Sequence, residues 1–267
     1  MTTIMSGTLD HERYCAEVLA ESDRLRQTVR GADLKTTVPT CPEWTLEALL
    51  RHVGGAHRWV HETVRTRATE MVPFDAVPEH QGPADGDPAA LDAWLAEGAR
   101  LVAGALREAG PDTPVWAWAP GQPSGFWARR MTHETLVHRA DAASATGAAY
   151  EVAPEVAADA IEEWTQVICL VPTLRPDHPA VRLLGAGRSL RLHATDTPPG
   201  APADWFLDLT APAPAYHHTR REATVTLQGP ATDLLRVYYR RLPADTPNVE
   251  ITGDRAFLDE WLEAAKF

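Results

Sequence analysis

The residues best suited to chemistry lie in Trp127–Gly147, WARRMTHETLVHRADAASATG, whose pattern predicts a helix. At about 100° per residue, Trp127, Met131, Glu134, His138, Ala142 and Ala145 share one arc. Arg129, His133, Leu136 and Ala140 lie mostly away from it. The inward stripe therefore carries a carboxylate and an imidazole about one helical turn apart, among apolar neighbours. Burying such groups without partners costs several kcal/mol. A shared metal ion would satisfy both. Two ligands do not hold an ion, so a third must come from another element.

The best source is Thr45–Thr66, TLEALLRHVGGAHRWVHETVRT, a second amphipathic pattern. Leu46, Leu49, Leu50, Val53, Val60 and Val64 make its apolar face, with Glu47, Arg51, Arg58 and Arg65 opposite. His52, His57 and His61 compete for the role. Periodicity favours His57, nearest the middle of the apolar arc. His52 lies at the border of that arc, beside Ala48, Ala56 and Trp59. A metal site can sit off-centre on such a face, so the angles leave the third ligand open.

Both segments carry a resemblance. VPTCPEWTLEALLRHVGGAH and, further on, THETLVHRADAASATG are similar to the mycothiol-dependent maleylpyruvate isomerase family, one of the DinB-like metalloenzymes. The matching pattern is Pro-x-Trp-Thr leading to Leu-x-His, then Glu-x-x-x-His-Arg-x-Asp. The tail, LQGPATDLLRVYYRRL and VEITGDRAFLDEWL, resembles the family's C-terminal domain. On this resemblance the metal ligands are His52, Glu134 and His138, with water or substrate completing the sphere. The choice of His52 over His57 rests on the resemblance, against the periodicity.

Two histidines and one glutamate leave an opening, as an acting metal requires and a four-ligand structural zinc does not. Such a set suits zinc first, with nickel, iron or manganese as alternatives. A thiol bound to zinc is deprotonated. None of Cys15, Cys41 and Cys169 sits in either ligand motif, so the sulfur must come from a co-substrate. The resemblance implies mycothiol. The thiolate can add to an activated double bond and leave after rotation, which is cis–trans isomerisation of a maleylpyruvate-like acid. It can also attack an electrophile and stay there, which is S-transfer. An acidic substrate wants a basic anchor. Arg130, one turn before Glu134, is the candidate, with Arg240 and Arg241 as further options. Asp141 is the candidate acceptor for an imidazole N–H of His138. His57, His61 and His133 are read as structural or surface histidines. Two other readings compete: a metal-dependent hydrolase that activates water, and a non-catalytic protein that binds an apolar small molecule.

The elements that must position these residues fall into two groups. Helices are predicted at about Asp10–Arg30, Thr45–Thr66, from Asp87-Pro88 to Gly110-Pro111, and Trp127–Gly147. Thr45 and Asp87 are the expected N-caps. Four such helices suit a bundle over residues 1–150, DinB-like on the resemblance. Between the last two lies TPVWAWAPGQPSGFW, too apolar for a solvated linker, and it reads as a wall over the metal site. After residue 150 the period changes. Helices are predicted at Pro154–Leu170, Ala231–Arg241 and Arg255–Ala265, with strands at Leu190–Ala194, Trp205–Leu209, Ala223–Leu227 and Val249–Ile251. This makes a smaller mixed domain over 151–267, which the resemblance likens to sterol-carrier-like folds. The whole is a two-domain α+β protein.

Composition sets outer limits. Of 267 residues, 37 are acidic and 25 basic, a net charge of −12. That balance disfavours nucleic acid, whose binding rests on neutralising phosphates, and anionic membrane surfaces. No apolar run approaches the roughly 18 residues of a membrane span, and MTTIMSGTLDHERY has no signal-peptide pattern. Three widely spaced cysteines make no disulfide framework. A cytoplasmic monomer or weak homodimer is expected. Its partners would be a small electrophilic substrate and a thiol.

Overall fold

A computed structural model describes residues 7–266. The chain divides into two compact units, one ending at Tyr150 and the other beginning at Glu151. The architecture is mixed α+β, with seven α-helices and two sheets among the described residues.

The first unit holds α1 (His11–Thr28), a hairpin of β1 (Thr37–Val38) and β2 (Cys41–Thr45), α2 (Leu46–Arg65), α3 (Pro88–Ala109) and α4 (Ser124–Thr146). Side-chain caps set three of the helix starts. Asp10 accepts from the Arg13 amide, Thr45 from the Ala48 amide and Asp87 from the Ala90 amide. α4 ends at Gly147, whose φ of 71° is a left-handed cap that suits glycine. Contacts run between α1 and α3, α1 and α4, α2 and α3, and α2 and α4. One core joins Leu25, Leu46, Leu49, Leu50, Val53, Leu91 and Leu95 to Val38 of the hairpin and Ala142 of α4. α2 meets α3 closely. A Cβ on Gly54 would lie 2.0 Å from the Trp94 ring, so only glycine lets that indole lie against α2.

Two sequence expectations need correction. α4 is buried nearly all round, including Arg129, His133, Leu136 and Ala140 on the arc expected to point away. The reason is α1, which packs on that side. Thr132 donates to the Tyr14 carbonyl at 3.0 Å, and Arg139 donates to Glu21 at 2.5 Å inside the core. Arg58, expected on the polar face of α2, is only 1 % exposed. Its guanidinium donates to the Trp94 carbonyl and Glu97 and lies 4.4 Å from the Trp94 ring. A long arginine stem lets a polar position reach inward.

The second unit holds α5 (Pro154–Leu174), β3 (Ser189–Ala194), β4 (Asp204–Asp208), β5 (Ala215–His217), β6 (Val225–Gly229), α6 (Ala231–Tyr238), β7 (Glu250–Gly253) and α7 (Arg255–Ala264). The five-stranded sheet has the order β5-β4-β3-β6-β7. Only β3 and β6 are parallel. Alternation puts Leu190 and Leu192 of β3, Trp205 and Leu207 of β4, and Val225 and Leu227 of β6 into one core. α5, α6 and α7 each contact the sheet, and Leu234, Phe257 and Trp261 are buried from their side. No helix among the described residues is long and apolar enough to cross a membrane. None of the three cysteines is in a disulfide; Cys15 is buried and the other two half-buried.

Candidate metal centre

Glu134 and His138 stand one turn apart on α4, and His52 faces them from α2. Among the described residues these three form the one His/Cys/Asp/Glu group with three donor atoms in reach of a single ion, all within 4.8 Å of one another. His52 Nε2 lies 2.9 Å from Glu134 Oε1, and His138 Nε2 lies 3.2 Å from the same oxygen. A tetrahedral ion with ligands at about 2.0–2.1 Å needs donor separations of roughly 3.3 Å, and both histidine nitrogens already stand near that spacing from Glu134. Side-chain exposure rises from 11 % at His138 through 22 % at Glu134 to 38 % at His52, so the set is anchored inside and open outside.

Several groups hold this set in place. Asp141, fully buried, accepts from His138 Nδ1 at 2.8 Å. That bond turns Nε2 towards Glu134. Thr40, in the turn of the β1–β2 hairpin, donates to the other Asp141 oxygen at 2.5 Å. The Trp44 ring lies 4.8 Å from His52 and 5.9 Å from His138. Arg130 donates to Glu134 Oε2 at 2.9 Å, leaving Oε1 for the histidines. Burial works against charge on Glu134, yet the His138 and His52 bonds and Arg130 hold its carboxyl well below the usual carboxylate range. Burial likewise opposes charge on His138, but Asp141 and Glu134 outweigh it and push its pKa up to about 9. In the absence of an ion, a proton on His138 takes the place of the positive charge.

The other histidines weighed as ligands lie elsewhere. His57 is fully buried behind the site and donates from Nε2 to Thr135 Oγ1 at 2.8 Å. Burial pushes its pKa down to about 4. His61 turns to the Leu101 carbonyl, and His133 is buried edge-on to the Tyr14 ring. The centre of an apolar face points into the core. An open metal position needs the border, where His52 stands.

The site opens onto a cavity of 310 Å³. His52, Glu134 and Arg130 form one part of its lining, and Trp59, Trp118 and Trp127 another. The Trp-rich segment before α4 thus supplies part of the wall. It is pinned by the Trp116 amide, which donates to the Ala68 carbonyl. Periodicity set Trp59 beside His52 but did not point to Thr40, Trp44, Phe74 or Trp118. The one sequence signal for them was the run of tryptophans and the Pro-x-Trp-Thr lead-in to α2.

The fold is that of a two-unit α+β protein already seen in crystals. It is shared with a structure of a mycothiol-dependent maleylpyruvate isomerase and with one of a histidine-to-alanine mutant of that enzyme, at TM-scores of 0.54 and 0.56. Sequence identity to each is 16 %, over 91 % of this chain and 93 % of theirs, so the likeness is one of fold. The family model for the mycothiol maleylpyruvate isomerase N-terminal domain matches residues 15–143, and that for the MDMPI C-terminal domain matches residues 155–260. The chain belongs to the mycothiol-dependent maleylpyruvate isomerase family, a family of enzymes. No curated protein matches its sequence.

Proposed function

We propose that this chain is a metal-dependent enzyme that activates a low-molecular-weight thiol, mycothiol, for attack on an electrophilic small molecule. The observation that carries the reading is the open three-donor set, His52, Glu134 and His138, bordering a cavity. Two imidazoles and a carboxylate suit zinc and leave one position free. When bound, the ion supplies a positive centre that keeps a thiol as its thiolate at neutral pH. Asp141 fixes the His138 tautomer and ring direction, and Arg130 fixes Glu134. Both are positioning residues for the ligand set, and Arg130 also borders the substrate space. Isomerisation and S-transfer share the first step, in which sulfur bonds to carbon. They part on whether that bond later breaks. The isomerase reading draws on the names of the solved neighbours and on the family. On this reading the four helices of the first unit form a DinB-like bundle.

The test is metal content. The purified protein should carry about one equivalent of a divalent ion, as an open three-ligand site would. His52→Ala, Glu134→Ala and His138→Ala should each lose most of it, while His57→Ala and His133→Ala keep it. In the cobalt-substituted protein, added mycothiol should produce a sulfur-to-metal charge-transfer band. Full metal retention by Glu134→Ala would sink the assignment. So would a cobalt spectrum indifferent to the thiol.

A further inference from the structure

We infer that the electrophile admitted by this site is a flat apolar molecule of aromatic character, in preference to a small dicarboxylate. The inference rests on the thiol-activating reading above and adds the substrate class. Its basis is the cavity beside His52 and Glu134. Beyond the ligand set, the wall is built of Trp59, Phe74, Trp118, Trp127 and Met131. The rings are set at angles to one another. Trp59 meets Trp127 at 5.3 Å and 89°, and Phe74 at 5.7 Å and 48°. Two of the three indoles have their polar atom spent on the backbone. Trp59 Nε1 donates to the Val72 carbonyl and Trp127 Nε1 to the Trp116 carbonyl, both at 2.7 Å. These two indoles therefore offer the cavity ring surface without a spare donor. Phe74 stands at 55 % exposure, a large apolar ring left in water at the edge of a hole. A ligand ring would cover it.

The side-chain charges bordering the same space are already engaged. Arg51 donates to Glu47, to Asp85 and to the carbonyls of Gln81 and Pro83. Arg130 is bonded to Glu134. His80, also on the wall, is drawn towards its neutral form by burial. A dianion entering here would shed its water and meet two arginines already held by carboxylates, a costly exchange. An aromatic ring loses little on desolvation. It gains about 0.5–1.5 kcal/mol for each well-set ring pair beyond its buried area. A cavity of 310 Å³ is at the small end for ligand sites, which suits a molecule of one or two rings.

The test uses two unreactive probes, 1-naphthol and maleate, with the full-length protein in zinc-loaded and metal-free form. Binding is followed by calorimetry. 1-Naphthol should bind both forms within a few-fold of each other, because side chains and not the ion make the subsite. In the metal-free form, where no open ion position can take a carboxylate, maleate should bind at least tenfold more weakly than 1-naphthol. Trp118→Ala should weaken 1-naphthol at least tenfold with zinc content unchanged. Ala56→Phe, which fills the cavity from α2, should do the same without removing a wall residue. Tighter binding of maleate than of 1-naphthol by the metal-free protein overturns the inference. So does naphthol binding that neither variant changes. Zinc content and the cobalt–thiol band, measured on the same preparations, separate this from failure of the wider reading. If the metal or thiol fails while naphthol binding follows the variants, the thiol chemistry falls and the aromatic subsite stands.

Discussion

The path Thr40–Asp141–His138 gives the candidate metal site its direction. A buried carboxylate that accepts from one imidazole nitrogen makes the other the better donor to an ion. Asp141→Asn should weaken zinc binding by about 10–100-fold, measured by competition with a chromophoric chelator. Thr40→Val should weaken it by a smaller factor, since it frees one Asp141 oxygen but leaves the bond to His138. The proton on His138 gives a second check. In the metal-free protein its pKa is about 9, so at pH 7 an arriving ion must displace that proton. Zinc binding should release about one proton at pH 7, read as a dependence of calorimetric heat on buffer ionisation enthalpy. Affinity should rise about tenfold per pH unit and level off near the His138 pKa. An affinity flat from pH 6 to 8 would show that His138 is not the displaced group.

At the scale of elements, α2 carries both the site and its support. His52 faces outward at the border of its apolar face, and His57 faces the core. His57 is neutral when buried, with a pKa of about 4 against an ordinary 6.5. The unfolded chain therefore binds the extra proton as pH falls below 6.5, and stability is lost from there down towards pH 4. The full effect is on the order of 3 kcal/mol. Denaturant midpoints between pH 7 and 4 should fall, and His57→Gln should flatten that limb. On the α3 side, Gly54→Ala would drive a methyl into the Trp94 ring and should cost about 1–3 kcal/mol, seen as a lower denaturant midpoint. The helices of both units were legible in their periodicity, caps and breaker residues, with ends shifted by a few positions. α4 begins at Ser124, ahead of the expected Trp127, because Pro123 and the Ser124 bond to the Gly110 carbonyl start it earlier. The β1–β2 hairpin was not legible. Its first strand has two residues and its second contains Pro42, so no alternation of period two can form. β5, three residues after a Pro-rich turn, escaped for the same reason. The site was half legible. Glu134 and His138 follow from the α4 pattern. His52 did not follow from angles, because periodicity finds the centre of a face and an open ligand stands at its margin.

For the molecule as a whole, all three candidate donors and the aromatic cavity belong to the unit that ends at Tyr150. An ion that binds only the folded form stabilises it by RT ln(1 + [L]/Kd), about 2.7 kcal/mol at a hundredfold excess over Kd. In calorimetric melts, zinc should therefore raise the transition of the first unit and leave that of the second where it was. Equal shifts of all transitions would show that the two units unfold as one. The donors also lie far apart along the chain, His52 and Glu134 being separated by 82 positions. On a ribosome adding about 5–20 residues each second, His52 is made roughly 4–16 s before its partner carboxylate. The site thus has an order in time. Throughout that interval the early imidazole has no second donor from α4, and the pair Glu134 and His138 come together only as α4 winds. An ion captured by His52 alone would be held weakly and soon lost, so the choice of metal falls to the finished helical unit. On the metal-dependent reading, a cell can make this protein empty and load it afterwards.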